Sequence, residues 1–211
     1  MFFLPYRALP AAGIPLAVLL FCAFAACAQQ LRVGVRGGGS LTNGIGADAN
    51  GSSFRFGYHG GAVVQLRATE RWSLQPEVLY TLKGDAAEAY GPAINAGLTY
   101  LEAPVLLRYL RDDAFIEAGP YAAYRLRTSY NDNDVQLSGI SPYQQADYGL
   151  VFGFGYQDPQ GLSVGWRYVT GLRNIYRPVA FADALEHVRL RNSSIQLSFA
   201  YLLPWAWGKP R

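Results

Sequence analysis

Residues 100–126, YLEAPVLLRYLRDDAFIEAGPYAAYRL, decide the fold. They read as two runs of alternating apolar and polar residues hinged at Asp112-Asp113. Residues two apart in a strand share a face, and acidic turn residues punctuate a hairpin. A turn centred between the two aspartates sets Arg108 opposite Glu117 and places Leu107, Tyr109, Ile116 and Ala118 on the other face. Glu102, Arg108, Glu117 and Arg125 then share one face of the hairpin. Leu101, Val105, Leu107, Ile116, Ala122, Tyr124 and Leu126 share the opposite one.

The same period runs outward in both directions. Upstream, strands are expected at 31–40, at 54–68, and at 72–83 after a tight turn at Thr69-Glu70-Arg71. A turn centred on Glu70 sets Gln65 opposite Gln75 and Leu66 opposite Leu74, so polar and apolar faces match across the pair. Downstream, strands are expected at 147–156, 162–172 and 191–203. The short turn Asp158-Pro159-Gln160-Gly161 sets Phe152 opposite Trp166. Polar or glycine-rich stretches at 42–53, 84–97, 128–146 and 173–190 read as loops. Long and short connections therefore alternate and the strand count is eight, which leaves both termini on the short-turn side. This is the layout of an all-β, eight-stranded antiparallel up-and-down transmembrane β-barrel with brief periplasmic turns and longer external loops. The runs reach the roughly 9–11 residues that a tilted strand needs to cross a bilayer.

The first residues are of a different kind. Arg7, the apolar run 14–26 and the small-residue pattern Ala26-Cys27-Ala28 read as a secretory signal, residues 1–28, cut before Gln29. An acylated Cys27 is the alternative. Residues 29–203 form the barrel domain and 204–211, PWAWGKPR, a periplasmic tail. Both cysteines, Cys22 and Cys27, lie in the signal, so the mature chain has neither a disulfide framework nor a cysteine metal site. With Arg7 removed, the 18 basic residues become 17 against 15 acidic, a net +2. That balance gives no reason to expect a nucleic acid partner.

Alternation alone does not say which face is inside, and a soluble barrel holding an apolar ligand would put the greasy face inward. Bulk decides. An eight-stranded interior is just wide enough for side chains to fill it, and Trp72, Trp166 and the many Tyr, Phe and Leu would crowd it. The polar face instead mixes long charged residues with glycines such as Gly34, Gly57, Gly61, Gly119, Gly153 and Gly165. The lumen is therefore expected to hold a charge network of Arg36, Arg55, Glu77, Glu102, Arg108, Glu117, Arg125 and Arg167. Trp72, Tyr80, Tyr109, Tyr124, Tyr148, Tyr156, Tyr168 and Tyr201, together with Phe54 and Phe115, are expected to form aromatic girdles at the membrane interfaces.

Residues 100–109, YLEAPVLLRY, with 115–126, FIEAGPYAAYRL, resemble the central signature of the bacterial outer-membrane β-barrel domain family whose members are called porin-family or PorT-family proteins. LQPEVLYTLKG at 74–84 is similar to its preceding strand, and Gly38-Gly39 adds support. The resemblance covers most of the mature chain. It implies an eight-stranded outer-membrane barrel and little chemistry. Many outer-membrane barrels finish on a terminal aromatic, whereas here the tail follows Tyr201. Phe199 and Tyr201 are expected to serve as the assembly signal.

The expected role is structural or surface-interacting, carried by four external loops. The alternatives are a narrow solute passage, or an accessory barrel in protein secretion as the PorT-like resemblance suggests. Expected partners are outer-membrane lipids and lipopolysaccharide, the barrel-assembly machinery during insertion, and an unnamed surface or secretion partner, with the barrel itself a monomer. No cofactor, catalytic or metal residues are expected. A lipid-modifying enzyme would need a convergent hydroxyl, imidazole and carboxylate. The histidines are His59, on the polar face of its strand, and His187, in a loop beside Glu186 and near Ser193 and Ser194; no G-x-S-x-G elbow occurs. The acidic loop at 131–134 lacks the glycine and distal glutamate of an EF-hand, and Gly37-Gly38-Gly39 is not followed by the lysine of a phosphate loop. The sequon Asn192-Ser193-Ser194 falls at a strand start.

Overall fold

The computed structural model describes residues 30–47, 49, 53–87, 94–130, 143–176, 179–181, 184–186 and 189–203. The expected signal at 1–28, the tail at 204–211, the acidic loop at 131–134 and His187 lie outside the described residues.

The strands are β1 (Gln30–Ile45), β2 (Arg55–Arg67), β3 (Trp72–Ala87), β4 (Ile94–Arg111), β5 (Ala114–Tyr130), β6 (Ala146–Gln157), β7 (Leu162–Gly171), β8 (Val179–Phe181), β9 (Ala184–Glu186) and β10 (Arg191–Leu202). Eight of them, all but β8 and β9, close into one antiparallel barrel in which each strand pairs with its sequence neighbours and β1 pairs with β10. Closure matters because an open edge in hydrocarbon would leave a row of amides unpaired. The remaining two strands form a small hairpin within the connection from β7 to β10.

Arg108 stands opposite Glu117 across a two-residue turn. Asp112 and Asp113 take positive φ angles of 49° and 65° there, the backbone that matches the twist of a tight hairpin. Leu66 stands opposite Leu74. The β6–β7 register differs from expectation: Phe152 faces Tyr168, and Trp166 faces Phe154. The reason is the turn. Asp158 N donates to Leu162 O at 2.9 Å and Gly161 takes a φ of +101°, so Asp158 and Leu162 close a three-residue loop centred on Gln160. The shift is two residues, which leaves every side chain on its expected face.

Three connections are shorter than the composition implies. β1 runs on to Ile45, β3 to Ala87 with β4 beginning at Ile94, and β5 to Tyr130, so ladders of polar and glycine residues continue past the expected strand ends. Glycine and threonine read as loop in isolation, but a neighbouring strand supplies their hydrogen bonds. Thr42, buried, donates its hydroxyl to Gly84 O at 2.8 Å.

The alternation has one sense throughout. Phe56, Ile116, Phe152, Phe154, Trp166 and Phe199 point outward and are exposed, whereas Arg36, Glu77, Arg108, Glu117 and Arg167 point inward and are at most 5% exposed. A soluble domain does not show a continuous belt of this size; in hydrocarbon the belt is the solvated face.

Candidate functional site

The interior holds two storeys of side chains. The lower one lies toward the short turns and gathers residues from seven of the eight barrel strands. Arg167 on β7 sits at its centre, its two terminal nitrogens donating to Glu77 Oε2 and Oε1 at 2.7 and 2.8 Å and its Nε to Glu117 Oε1 at 2.5 Å. Arg108 donates to Glu117 Oε2 from Nε at 3.0 Å and from a terminal nitrogen at 2.6 Å, and to Gln157 Oε1 at 2.6 Å. Its guanidinium also stacks 3.8 Å from the centroid of the Phe115 ring. Arg36 on β1 approaches Glu77 at 3.4 Å. Gln75 donates to Glu77 at 2.6 Å, and Gln65 on β2 donates to Gln157 at 3.3 Å. Each strand contributes because the inward position recurs every second residue, and closure turns all those positions toward one axis.

The upper storey is partly apolar. Leu98, Tyr100, Leu106, Tyr121, Val151 and Val169 pack together there. Lys83 forms an ion pair with Glu102 and lies 4.4 Å from the Tyr121 ring centroid. Asp147 accepts from the Tyr121 hydroxyl at 3.1 Å and from Asn192 Nδ2 at 2.8 Å. Among the described residues the buried charges cancel: Arg36, Lys83, Arg108 and Arg167 against Glu77, Glu102, Glu117 and Asp147, four of each sign. That balance is what a low-dielectric interior demands of ions taken out of water.

Above the upper storey the external connections lean inward. Tyr143 and Tyr176 form a β-bridge with ring centroids 5.0 Å apart. Gln144 N donates to Ile175 O at 2.7 Å, and Ile175 N to Leu190 O at 2.8 Å. Arg125 clasps this lid, donating to Gln144 O at 3.1 Å and Tyr143 O at 3.2 Å. The space left beneath, beside Leu98 and Asn192, has a volume of about 10 Å³, room for about one water.

Six of the eight residues expected in a lumen network converge inside as ion pairs, five in the lower storey and Glu102 in the upper. Arg125 and Arg55 lie higher, toward the external end. Arg125 serves the lid, and half-buried Arg55 lies beside Gly97 near the external end. Lys83, Tyr100 and Tyr121 share strand parity with Glu77, Glu102 and Glu117 respectively and are buried with them, and Asp147 and Gln157 share an inward parity on β6. Tyr100 and Tyr121 differ from the girdle tyrosines in having inward parity, and both are buried.

Nine of the ten residues assigned to the girdles face outward, eight of them exposed and Tyr109 half-buried against Trp72 at a centroid distance of 4.9 Å. Phe115 is a correction. It is 3% exposed and lies in the lumen beneath Arg108, because its parity is that of Glu117. His59 is buried, its Nε2 3.0 Å from Ser198 Oγ. Asn192 of the sequon is buried in the upper storey. Among the described residues, no three His, Cys, Asp or Glu side chains are grouped to hold a metal.

The family described as outer membrane protein beta-barrel domain matches residues 27–177. This chain belongs to that family. The outer-membrane barrel so identified has no match among curated proteins. Its fold is similar to that of Neisserial surface protein A (NspA), with a TM-score of 0.50 and 14% identity over 80% of this chain and 96% of that one. OprG from Pseudomonas aeruginosa gives 0.45 and 15% over 83% and 97%, and Ail of Yersinia pestis 0.40 and 10% over 82% and 99%. The family places this barrel in the bacterial outer membrane, where barrels as a class carry short turns on the periplasmic side and longer loops outside.

Proposed function

We propose that this outer-membrane barrel is a closed, non-catalytic scaffold with a structural or surface-interaction role, and that its external connections are the part that meets a partner. The observation that carries this reading is the lower storey of paired charges, Arg36–Glu77–Arg167–Glu117–Arg108, which crosses the interior from β1 to β4. A solute passing along the axis would have to break pairs whose partners have no water to turn to, at a cost of several kcal/mol for each buried ion. Among the described residues, His59 and its partner Ser198 are 3% and 1% exposed, which closes that imidazole and hydroxyl to a substrate. Binding groups that sit on loops held by a rigid wall suit an interaction role.

Planar-bilayer recording tests this. The inserted protein is expected to add no steady conductance to the bare bilayer. The double variant Glu117→Ala with Arg167→Ala, which empties the middle of the lower storey, is expected to admit small ions. Steady single-channel steps from the wild-type barrel would overturn the scaffold reading and favour a solute passage.

A further inference from the structure

The outer wall carries a groove with its own chemistry. Along one row the register sets Leu107 beside Ala118 and Ala118 beside Phe152, so a single methyl lies between two large side chains. Trp72 and Tyr109 wall the lower end and Ile116 the side, while the floor is backbone at Glu117 and Gly153. The groove holds about 430 Å³, far more than the space beneath the lid, and it faces the hydrocarbon. A dent this size in a lipid-facing wall must be filled, because an unfilled gap forfeits dispersion contacts along its whole lining.

Its lower mouth carries two arginines. Leu110 N donates to Arg71 O at 2.8 Å, which ties the β2–β3 turn to the end of β4 directly below Trp72 and Tyr109. Arg111 lies two residues beyond Tyr109 and so on the same outward face, one step nearer the periplasm. Arg71 and Arg111 are both exposed; the acids nearest them in sequence are Asp112, 3.5 Å from Arg111, and exposed Glu70. From Leu107 to Arg111 the strand rises roughly 13 Å, or about 10 Å along the membrane normal at the tilt of a barrel strand. That is the distance from the upper part of an acyl chain to its headgroup.

We propose that this groove is a binding site for one glycerophospholipid of the periplasm-facing leaflet, an acyl chain lying over Ala118 and the phosphate between Arg71 and Arg111. A flexible chain fits a floor of methyl and backbone rimmed by aromatics, and basic residues at a membrane surface select anionic headgroups. The short-turn end fixes the leaflet, which excludes lipopolysaccharide of the external one.

The test is native mass spectrometry of the full chain, released into mild detergent from vesicles of equal phosphatidylglycerol and phosphatidylethanolamine. One lipid adduct is expected, enriched in phosphatidylglycerol by about fivefold for each arginine engaged. Ala118→Phe fills the groove and is expected to lower the adduct at least tenfold, and Ala118→Leu by less. Ala122→Phe, at an exposed alanine of the same strand outside the groove, should leave it unchanged. Arg71→Gln with Arg111→Gln should keep the adduct and lose the headgroup preference. A heat-shift gel reports folding for each variant. No adduct on the wild-type barrel, equal losses in the Ala118 and Ala122 variants, or an undiminished preference without the arginines would each overturn the site.

Discussion

Glu117→Ala is the sharpest perturbation of this barrel. Its carboxylate accepts two hydrogen bonds from Arg108 and one from Arg167. The three side chains involved are only 1–2% exposed, so neither guanidinium can exchange the lost partner for solvent. Arg167 keeps both oxygens of Glu77 and Arg108 keeps Gln157 and the Phe115 face, which caps the damage below that of two wholly orphaned ions. Breaking one buried pair by removing a partner costs about 3–5 kcal/mol. A loss of about 4 kcal/mol lowers the folded-to-unfolded ratio by roughly a thousandfold. The assay is equilibrium urea refolding in phospholipid vesicles, followed by tryptophan emission and by gel shift. Glu117→Gln, which keeps an acceptor but removes the charge, should fall between. The double variant Arg108→Met with Glu117→Leu should recover at least half of the loss, since removing a buried pair together is far milder than removing one member. A Glu117→Ala barrel within about 1 kcal/mol of wild type would refute the view that paired charge holds the lower storey together.

Other outcomes follow from the same geometry. Phe152→Arg, at an outward position midway along β6, should cost about 2–4 kcal/mol in vesicles, whereas on a water-facing wall it would be nearly silent; the same refolding titration measures it. Gly161→Ala should destabilise by about 1–3 kcal/mol, because the residue holds a positive φ and an added Cβ would lie 2.1 Å from Leu202 O. Lys83→Met, which leaves Glu102 and Asp147 without their buried cation, should lower the urea midpoint by as much as Glu117→Ala does. Arg125→Ala removes the clasp on Gln144 and Tyr143 and should speed amide exchange at Ile175 by at least tenfold while leaving the refolding midpoint within about 0.5 kcal/mol.

Parity made most of this protein legible from its residues. An alternation of period two names two faces, and the turn residues between runs pair one run with the next. The pairing of Arg108 with Glu117 and the alternation of long and short connections followed from those two facts. Parity applied strictly would also have placed Phe115 inside, where residue type suggested a girdle. The strand extensions beyond Ser40, Lys83 and Leu126 were not legible, because a glycine or threonine becomes strand when a neighbour offers a ladder, and that neighbour is a tertiary fact.

What the residues could not decide was anything requiring the axis. A one-dimensional pattern has no centre, so it cannot say that Arg167, 90 positions from Glu77, reaches both of its oxygens. Nor can it tell that Arg125 belongs to the lid and Arg108 to the plug, although both sit at inward positions of the same hairpin. The turn at Gly161 displaced one register by two residues without moving a side chain across the wall, since a shift by a full pleat period preserves the face. The sequence by itself thus determined which side chains share a surface. Only closure of the sheet determined which of them meet, because meeting across a barrel depends on height and angle about an axis that no single strand contains.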